Sequence, residues 1–317
     1  MTTLGAAVTR TKRLLHSNTR TELDAVLAGK LNSGAASAAG ATATDTIIQL
    51  SHNSDGIRAG SYISVGDNTQ GYETMYVHRR AGEYATVERG MDGSTALGFT
   101  QGTIIEVEPR FTGHQILEAL RDAIKALPNN LFAVATLEAT FSTSEKSVTI
   151  TPTNGFTQVL SATRTARSGD DRALNFNVTV QQYGATYELI RREALEKAVT
   201  VSLTYAHPFV TRPSDVELAV GDDLVGTAKM GHSMLDIPAL GAAASLVLGE
   251  ESLRLDLHSQ GDSRSDAAVA AGDRARHSML LQAQYDRRVS QEARRLMSKY
   301  GIRSGASASS VFPTTLR

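Results

Sequence analysis

The chain has 317 residues, 41% of them hydrophobic and 21% charged, with a formal net charge of −1. Single cores seldom grow past ~250 residues, so two or three compact units are expected, and the near-zero net charge gives no whole-molecule attraction to nucleic acid. Cysteine and tryptophan are absent, which excludes disulfides and cysteinyl metal sites and weakens any sugar-binding reading, because such sites usually present flat aromatic platforms.

Residues 5–31 carry Leu14, Leu15, Leu23, Val26, Leu27 and Leu31 in a helix-like stripe, broken near Ser17-Asn18-Thr19 and closed by Gly29 and Gly34. Arg10, Lys12, Arg13 and Arg20 are read as a solvated face of this helix. The small, low-complexity run GAASAAGATAT over 34–44 reads as a linker or an extended strap. Residues 1–44 are therefore expected to form an N-terminal helical arm and linker.

Residues 45–108 read as a small all-β unit. Its strands are Ile47 to Leu50, Ser61–Val65, Glu73–His78, Tyr84–Arg89 and Gly102–Glu108, with turns at Asp55-Gly56, Gly66-Asp67-Asn68 and Ala81-Gly82. Ala85, Val87 and Arg89 alternate with Tyr84, Thr86 and Glu88, and Ile105 and Val107 with Ile104 and Glu106, the period of a half-buried strand. The glycines of Gly90-Met91-Asp92-Gly93-Ser94-Thr95 are read as the turn of a hairpin between the last two strands. Five short strands at this spacing suggest a small barrel.

Residues 109–130 hold a connecting helix capped by Thr112, with Ile116, Leu117, Leu120, Ile124 and Leu127 as its apolar stripe and Pro128 as its stop. Residues 131–206 then predict six strands, at Ala135–Phe141, Ser147–Thr151, Gln158–Arg167, Ala173–Gln181, Thr186–Arg191 and Ala198–Tyr205. Phe176, Val178 and Val180 alternate with Asn175, Asn177 and Thr179, which argues for a sandwich or jelly roll.

Residues 207–300 turn helical. Ser214 and Asp215 are placed to cap a helix over Val216–Leu224, and a tighter apolar helix follows Pro238. Gly261–Asp266 is a polar connector before a long helix to Tyr300 carrying Met279, Ala283, Val289, Ala293, Leu296, Met297 and Tyr300. Residues 301–317 lack periodicity and are expected to be an extended tail, ordered by a partner. The fold class expected is α+β: a multi-part chain with a small N-terminal β-barrel-like unit, a jelly-roll-like β-sandwich and helical N- and C-terminal arms.

Catalytic and metal-binding constellations are not evident. The eight histidines, at 16, 52, 78, 114, 207, 232, 258 and 277, include no i, i+4 pair and no HExxH pattern. Asp222-Asp223 and Glu250-Glu251 are adjacent carboxylates, and adjacent residues on a helix do not face one another. Gly231-His232-Ser233-Met234 lacks the closing glycine of a nucleophile elbow. The expectation is a protein that is not an enzyme and folds without metal or cofactor. No run approaches the ~18 apolar residues of a membrane span, and the first residues lack a signal-peptide core, so no membrane partner is expected.

The last helix is strongly basic. Arg287, Arg294 and Arg295 fall near one side of a 3.6-residue helix, flanked by Arg288 and Lys299, with Arg303 beyond. A solvated face accounts for most of these residues. The functional alternatives are docking to an acidic partner surface or lining a DNA passage. Arginine is common at protein interfaces, and the aromatic interleaving used for base stacking is missing, so docking is preferred. Arg287, Arg288, Arg294, Arg295, Lys299, Arg303 and Phe312 are the candidate docking residues.

Several segments together resemble the neck proteins of tailed bacteriophages, the structural proteins between the capsid portal and the tail. They are Val87-Glu88-Arg89-Gly90, the Gly93-Ser94-Thr95 turn, Ile105-Glu106-Val107-Glu108-Pro109-Arg110-Phe111 with its helix, and the upstream Asp55 to Ile63 stretch. Met234 to Ala243 and the Arg-rich final helix complete the pattern. The resemblance implies a virion protein made in the host cytoplasm and assembled as a ring, twelve-fold as in portal-bound adaptors. Its partners would be the portal and the next neck or tail-completion protein, with genomic DNA passing nearby. The alternative expectation is a carbohydrate- or receptor-binding virion protein using the 131–206 sandwich, with Tyr183, Tyr187, Tyr205 and Phe209 as contacts.

Overall fold

The computed structural model describes residues 3–15, 27–30, 41–50, 56–152, 155–164, 174–183, 186–192, 194–209, 218–259 and 273–300. The fold is mixed α+β, with four α-helices and three antiparallel sheets among the described residues. The chain divides into two compact units, Met1–Leu127 with Ser214–Arg288 and Pro128–Pro213 with Val289–Arg317.

The first unit contains a six-stranded sheet that curls as a half-barrel. Its strands are β1 (Leu27–Lys30), β2 (Ile47–Gln49), β3 (Tyr62–Asp67), β4 (Gly71–Ala81), β5 (Tyr84–Met91) and β6 (Ile104–Val107), in the order β1-β6-β3-β4-β5-β2. Alternation sorts the side chains: Ile63, Val65, Met75, Val77, Ala85, Val87 and Ile105 turn inward and pack with Ile48, Leu50, Ile57 and Phe99. The β3–β4 turn is tied by Asp67, whose Oδ1 accepts from the Thr69 N–H, the Thr69 hydroxyl and the Gln70 N–H. Burial pushes the Asp67 carboxyl up, but these hydrogen bonds outweigh it and hold the group below the usual range.

Two sequence expectations change here. Residues 27–30 are strand, not helix, because Leu27–Lys30 pairs with β6. The glycine-rich segment after Met91 is not a hairpin turn either: β6 pairs with β3 and β1, and β3 and β4 lie between it and β5. Met91 to Ser94 still forms a tight turn, with Asp92 at φ 55° and Gly93 at φ 74° and the Ser94 N–H donating to Met91 O. That is a type I′ geometry, which favours Asp-Gly. The segment then runs across to β6, anchored by the Ala41–Phe99 bridge and the buried Phe99 ring.

Three helices and the first part of a fourth complete the unit: α1 (Leu4–Leu15), α2 (Gly113–Lys125), α3 (Ile237–Ser259) and α4 (Asp273–Tyr300), of which Asp273–Arg288 belongs here. Thr112 caps α2 as expected, and Gln115 reaches back to the Thr112 N–H to close a capping box. Ile116, Leu117, Leu120 and Ile124 form its buried stripe. Gly113 is required by packing, since a Cβ there would lie 2.3 Å from the Tyr72 ring. α1 packs on α2 and α3 through Leu4, Ala7, Val8 and Leu15, so this part of residues 1–44 is integral to the unit. The N-terminal N–H groups of α1, at Leu4 and Gly5, donate to the carbonyls of Asp222 and Val220. That use of backbone explains why no helix forms over the described part of 216–224. There Asp222 Oδ2 accepts from the Ala219 N–H and Asp223 Oδ1 from the Val225 N–H, folding the segment as turns.

From Ile237 to Gly249 α3 carries no charged residue, as suits a helix set into a core. The stretch His232–Glu250, with mean hydropathy 1.2, is long and apolar enough by composition to cross a bilayer, which revises the expectation that none is; half of it is buried in the fold. α4 lies along α3 in the opposite direction. The Ser278 hydroxyl donates to Ala244 O, Tyr285 packs over Gly241, and Arg288 reaches Asp236.

The second unit has a four-stranded and a three-stranded sheet around one core. β7 (Ala133–Phe141), β9 (Gln158–Arg164), β10 (Leu174–Asn175) and β13 (Val199–His207) form the first, in the order β10-β9-β13-β7; β8 (Ser147–Ile150), β11 (Val178–Tyr183) and β12 (Thr186–Arg191) form the second, in the order β11-β12-β8. Phe141, Ile150, Ala162, Phe176, Leu189, Val201, Leu203 and Tyr205 meet between them. The strand expected over 173–181 is two strands. At Phe176 the backbone still bonds Ala162, whereas Asn177 O accepts from Arg192 and β11 continues on β12, so the chain changes sheets there.

Candidate assembly surface

The basic residues of α4 have different fates. Arg288 is committed within the chain: its Nε and Nη2 donate to Asp236 at 2.8 and 3.2 Å, and Nη2 also reaches Ser233 O at 3.0 Å. Arg295 donates to the buried Glu292 at 2.6 Å, and Lys299 lies 5.3 Å over the Tyr300 ring. Arg287 and Arg294 are exposed, and neither has an ion-pair partner among the described residues. Arg303 and Phe312 lie outside the described residues. Of the apolar residues on this helix, Met279 and Ala283 face outward, because Ser278, Leu281 and Arg288 set the packed side. Met279 and Leu280 are 70% and 64% exposed.

A cleft of about 510 Å³ opens in the first unit where β6 leads into α2. Tyr62, Met91 and Pro109 line it with apolar surface, and Thr74, Asp92, Glu108, Arg110 and Gln115 supply polar groups. Glu108 is the unusual residue. It ends β6 at φ 44° directly before Pro109, with its N–H held by Tyr62 O at 2.8 Å. A left-handed non-glycine residue costs ~1–3 kcal/mol, and the following proline further disfavours departure from extended backbone. Arg110 is neutralised by Glu250, which accepts from Nε and Nη2 at 2.7 and 2.5 Å. Asp92 and Glu108 are exposed carboxylates without an ion-pair partner among the described residues. The cleft is therefore acidic with an aromatic wall. The Thr74 hydroxyl oxygen is buried without a hydrogen-bond partner.

From the cleft wall at Tyr62, the outer face of β3 and β4 carries a ladder of rings. Tyr62 and Tyr76 lie 5.1 Å apart, Tyr76 and His78 5.0 Å apart, and His78 pairs with Glu88 at 3.0 Å. This ladder has no local signature in the sequence, because the tyrosines are fourteen residues apart and meet only through the Tyr62–Tyr76 register.

The aromatic residues proposed for sugar contact do not form a platform. Tyr205 is buried and stacked on Phe156, and Tyr187 packs on the same ring at 5.3 Å. Phe209 is half-buried, and Tyr183 is exposed and hydrogen-bonds Gln181. Among the described residues no group of three or more His, Asp or Glu side chains is placed to hold a metal ion. Compared with protein-family models, curated proteins and solved structures, the chain matches none.

Proposed function

We propose that the protein is a structural component of a tailed-phage neck, assembling as a ring between the capsid portal and the tail with the DNA passage at its centre. The observation that carries this reading is the outer face of α4, where Met279 and Leu280 stand exposed beside Arg287. Large contiguous apolar side chains in water mark surfaces that associate, and ring subunits must offer such surfaces to neighbours. The segments that carry the sequence resemblance support it as well. Val87 to Gly90, Ile105 to Phe111 and Met234 to Ala243 all fall within the first unit. In this reading the second unit is a jelly-roll-like module, and residues 301–317 are the arm that engages the portal or the next neck protein.

The test is to tag the chain at a surface loop and image labelled particles by electron microscopy. Label at the portal vertex between head and tail is expected. Label at the distal tail or baseplate would transfer the protein to the receptor-binding class, and unlabelled particles would remove it from the virion.

A further inference from the structure

We propose that the acidic cleft at the β6–α2 junction is the receiving half of a self-contact, and that its occupant is the outer face of α4 of a second copy of this chain. The proposal rests on the ring reading and names the surfaces that would close the ring.

The two surfaces match in chemistry. At ~100° per residue, Met279, Leu280, Ala283 and Arg287 fall within roughly a 100° arc of α4, and this arc lies opposite the packed side defined by Ser278, Leu281 and Arg288. It presents two large apolar side chains and a cation without an ion-pair partner among the described residues. The cleft presents the converse: apolar walls from Tyr62, Met91 and Pro109, with Asp92 and Glu108 as exposed carboxylates. Arg110, the one cation lining it among the described residues, is already bound by Glu250, so an incoming arginine meets net negative charge. Tyr62 is 47% exposed and offers a ring face to a guanidinium.

The surfaces are different parts of one chain, so the contact they make is heterologous. Each copy gives its α4 to one neighbour and its cleft to the other. Such contacts close into rings when the rotation allows.

Charge reversal tests this directly, with association followed by sedimentation velocity and folding checked by thermal melts. Arg287→Glu places glutamate against the cleft, and Glu108→Arg places arginine against arginine. Each alone is expected to weaken association at least about ten-fold, since like charges facing across an interface are strongly disfavoured. The double variant R287E/E108R restores opposite charges and should associate again. So should an equimolar mixture of the two single variants, because alternating copies then meet favourably at every contact. Single variants that associate like the wild type overturn the proposal, and so do losses that neither the double variant nor the mixture repairs. A wild-type chain that stays monomeric both free and on particles removes the ring reading itself. An intact ring in both single variants removes only the cleft.

Discussion

Arg89 and Glu73 meet side by side in the interior of the first unit, Nε to Oε1 and Nη2 to Oε2 at 2.8 Å each, with Glu73 fully buried. The pair is saturated. Glu73 also accepts from the backbone N–H groups of Gly90 and Leu97, and Arg89 also donates to the carbonyls of Thr42, Asp45 and Leu97. It thereby joins β4, β5, the segment before β2 and the crossover to β6 in one network. Removing one partner strands the other in a water-free core, which costs ~3–5 kcal/mol. Arg89→Ala should lower unfolding free energy by that order in a denaturant titration, whereas E73L/R89M removes both charges but leaves the backbone groups they bind unpaired, so it should recover only part of the loss.

Tyr72 gives a pH signature. Burial first, and then the carboxylates of Glu106 and Asp67, push its hydroxyl far above the usual tyrosine range. In the unfolded chain it ionises near ~10. Below that pH its contribution is fully present. Above it, the unfolded chain releases a proton that the folded chain keeps, so stability falls as pH rises toward the folded value. Melting curves from pH 9 to 11 should show this decline, and Tyr72→Phe should flatten it. The variant also loses the 2.7 Å bond from the hydroxyl to Asn68, so its stability at neutral pH should drop by ~0.5–1.5 kcal/mol.

Glu108 should respond to backbone chemistry. Its φ of 44° is natural to glycine and strained for any residue with a Cβ. Glu108→Gly is therefore expected to be more stable than Glu108→Ala by about 1 kcal/mol, measured by chemical denaturation. Equal stabilities would show that the turn relaxes without cost.

Neighbouring arginines on α4 should behave differently. Arg288 holds Asp236 and Ser233 O while about a third exposed, so Arg288→Gln should cost ~1–2 kcal/mol of stability after discounting for solvent. Arg287→Gln should leave thermal unfolding within ~0.5 kcal/mol of the wild type while weakening association, and that weakening should shrink as salt rises.

Local signals in the sequence carried far. Thr112 with Gln115 marks the start of α2, the alternation through Ala85 and Val87 marks the inner face of β5, and the stretch Thr186–Arg191 is β12 to the residue. What escaped was long-range. Leu27 and Leu31 have helical spacing, yet β6 offers Leu27–Lys30 a strand partner far along the chain. The pairing of β6 with β3 rather than β5 is likewise invisible to local pattern. On α4, apolar residues occur on both sides, so periodicity left the phase open. Ser278 bonding Ala244 and Arg288 bonding Asp236 decide it, turning Met279 outward. The cleft went unnoticed because Asp92 and Glu108 belong to two separate turns, and only the crossover brings those turns together.

The ring reading requires that copies of this chain close on themselves. Negative-stain electron microscopy of the purified full-length protein, with rotational analysis of end-on views, measures that directly. Annular particles of discrete rotational symmetry with an open central passage are expected. Monomers at every concentration, or open filaments without closure, would contradict it.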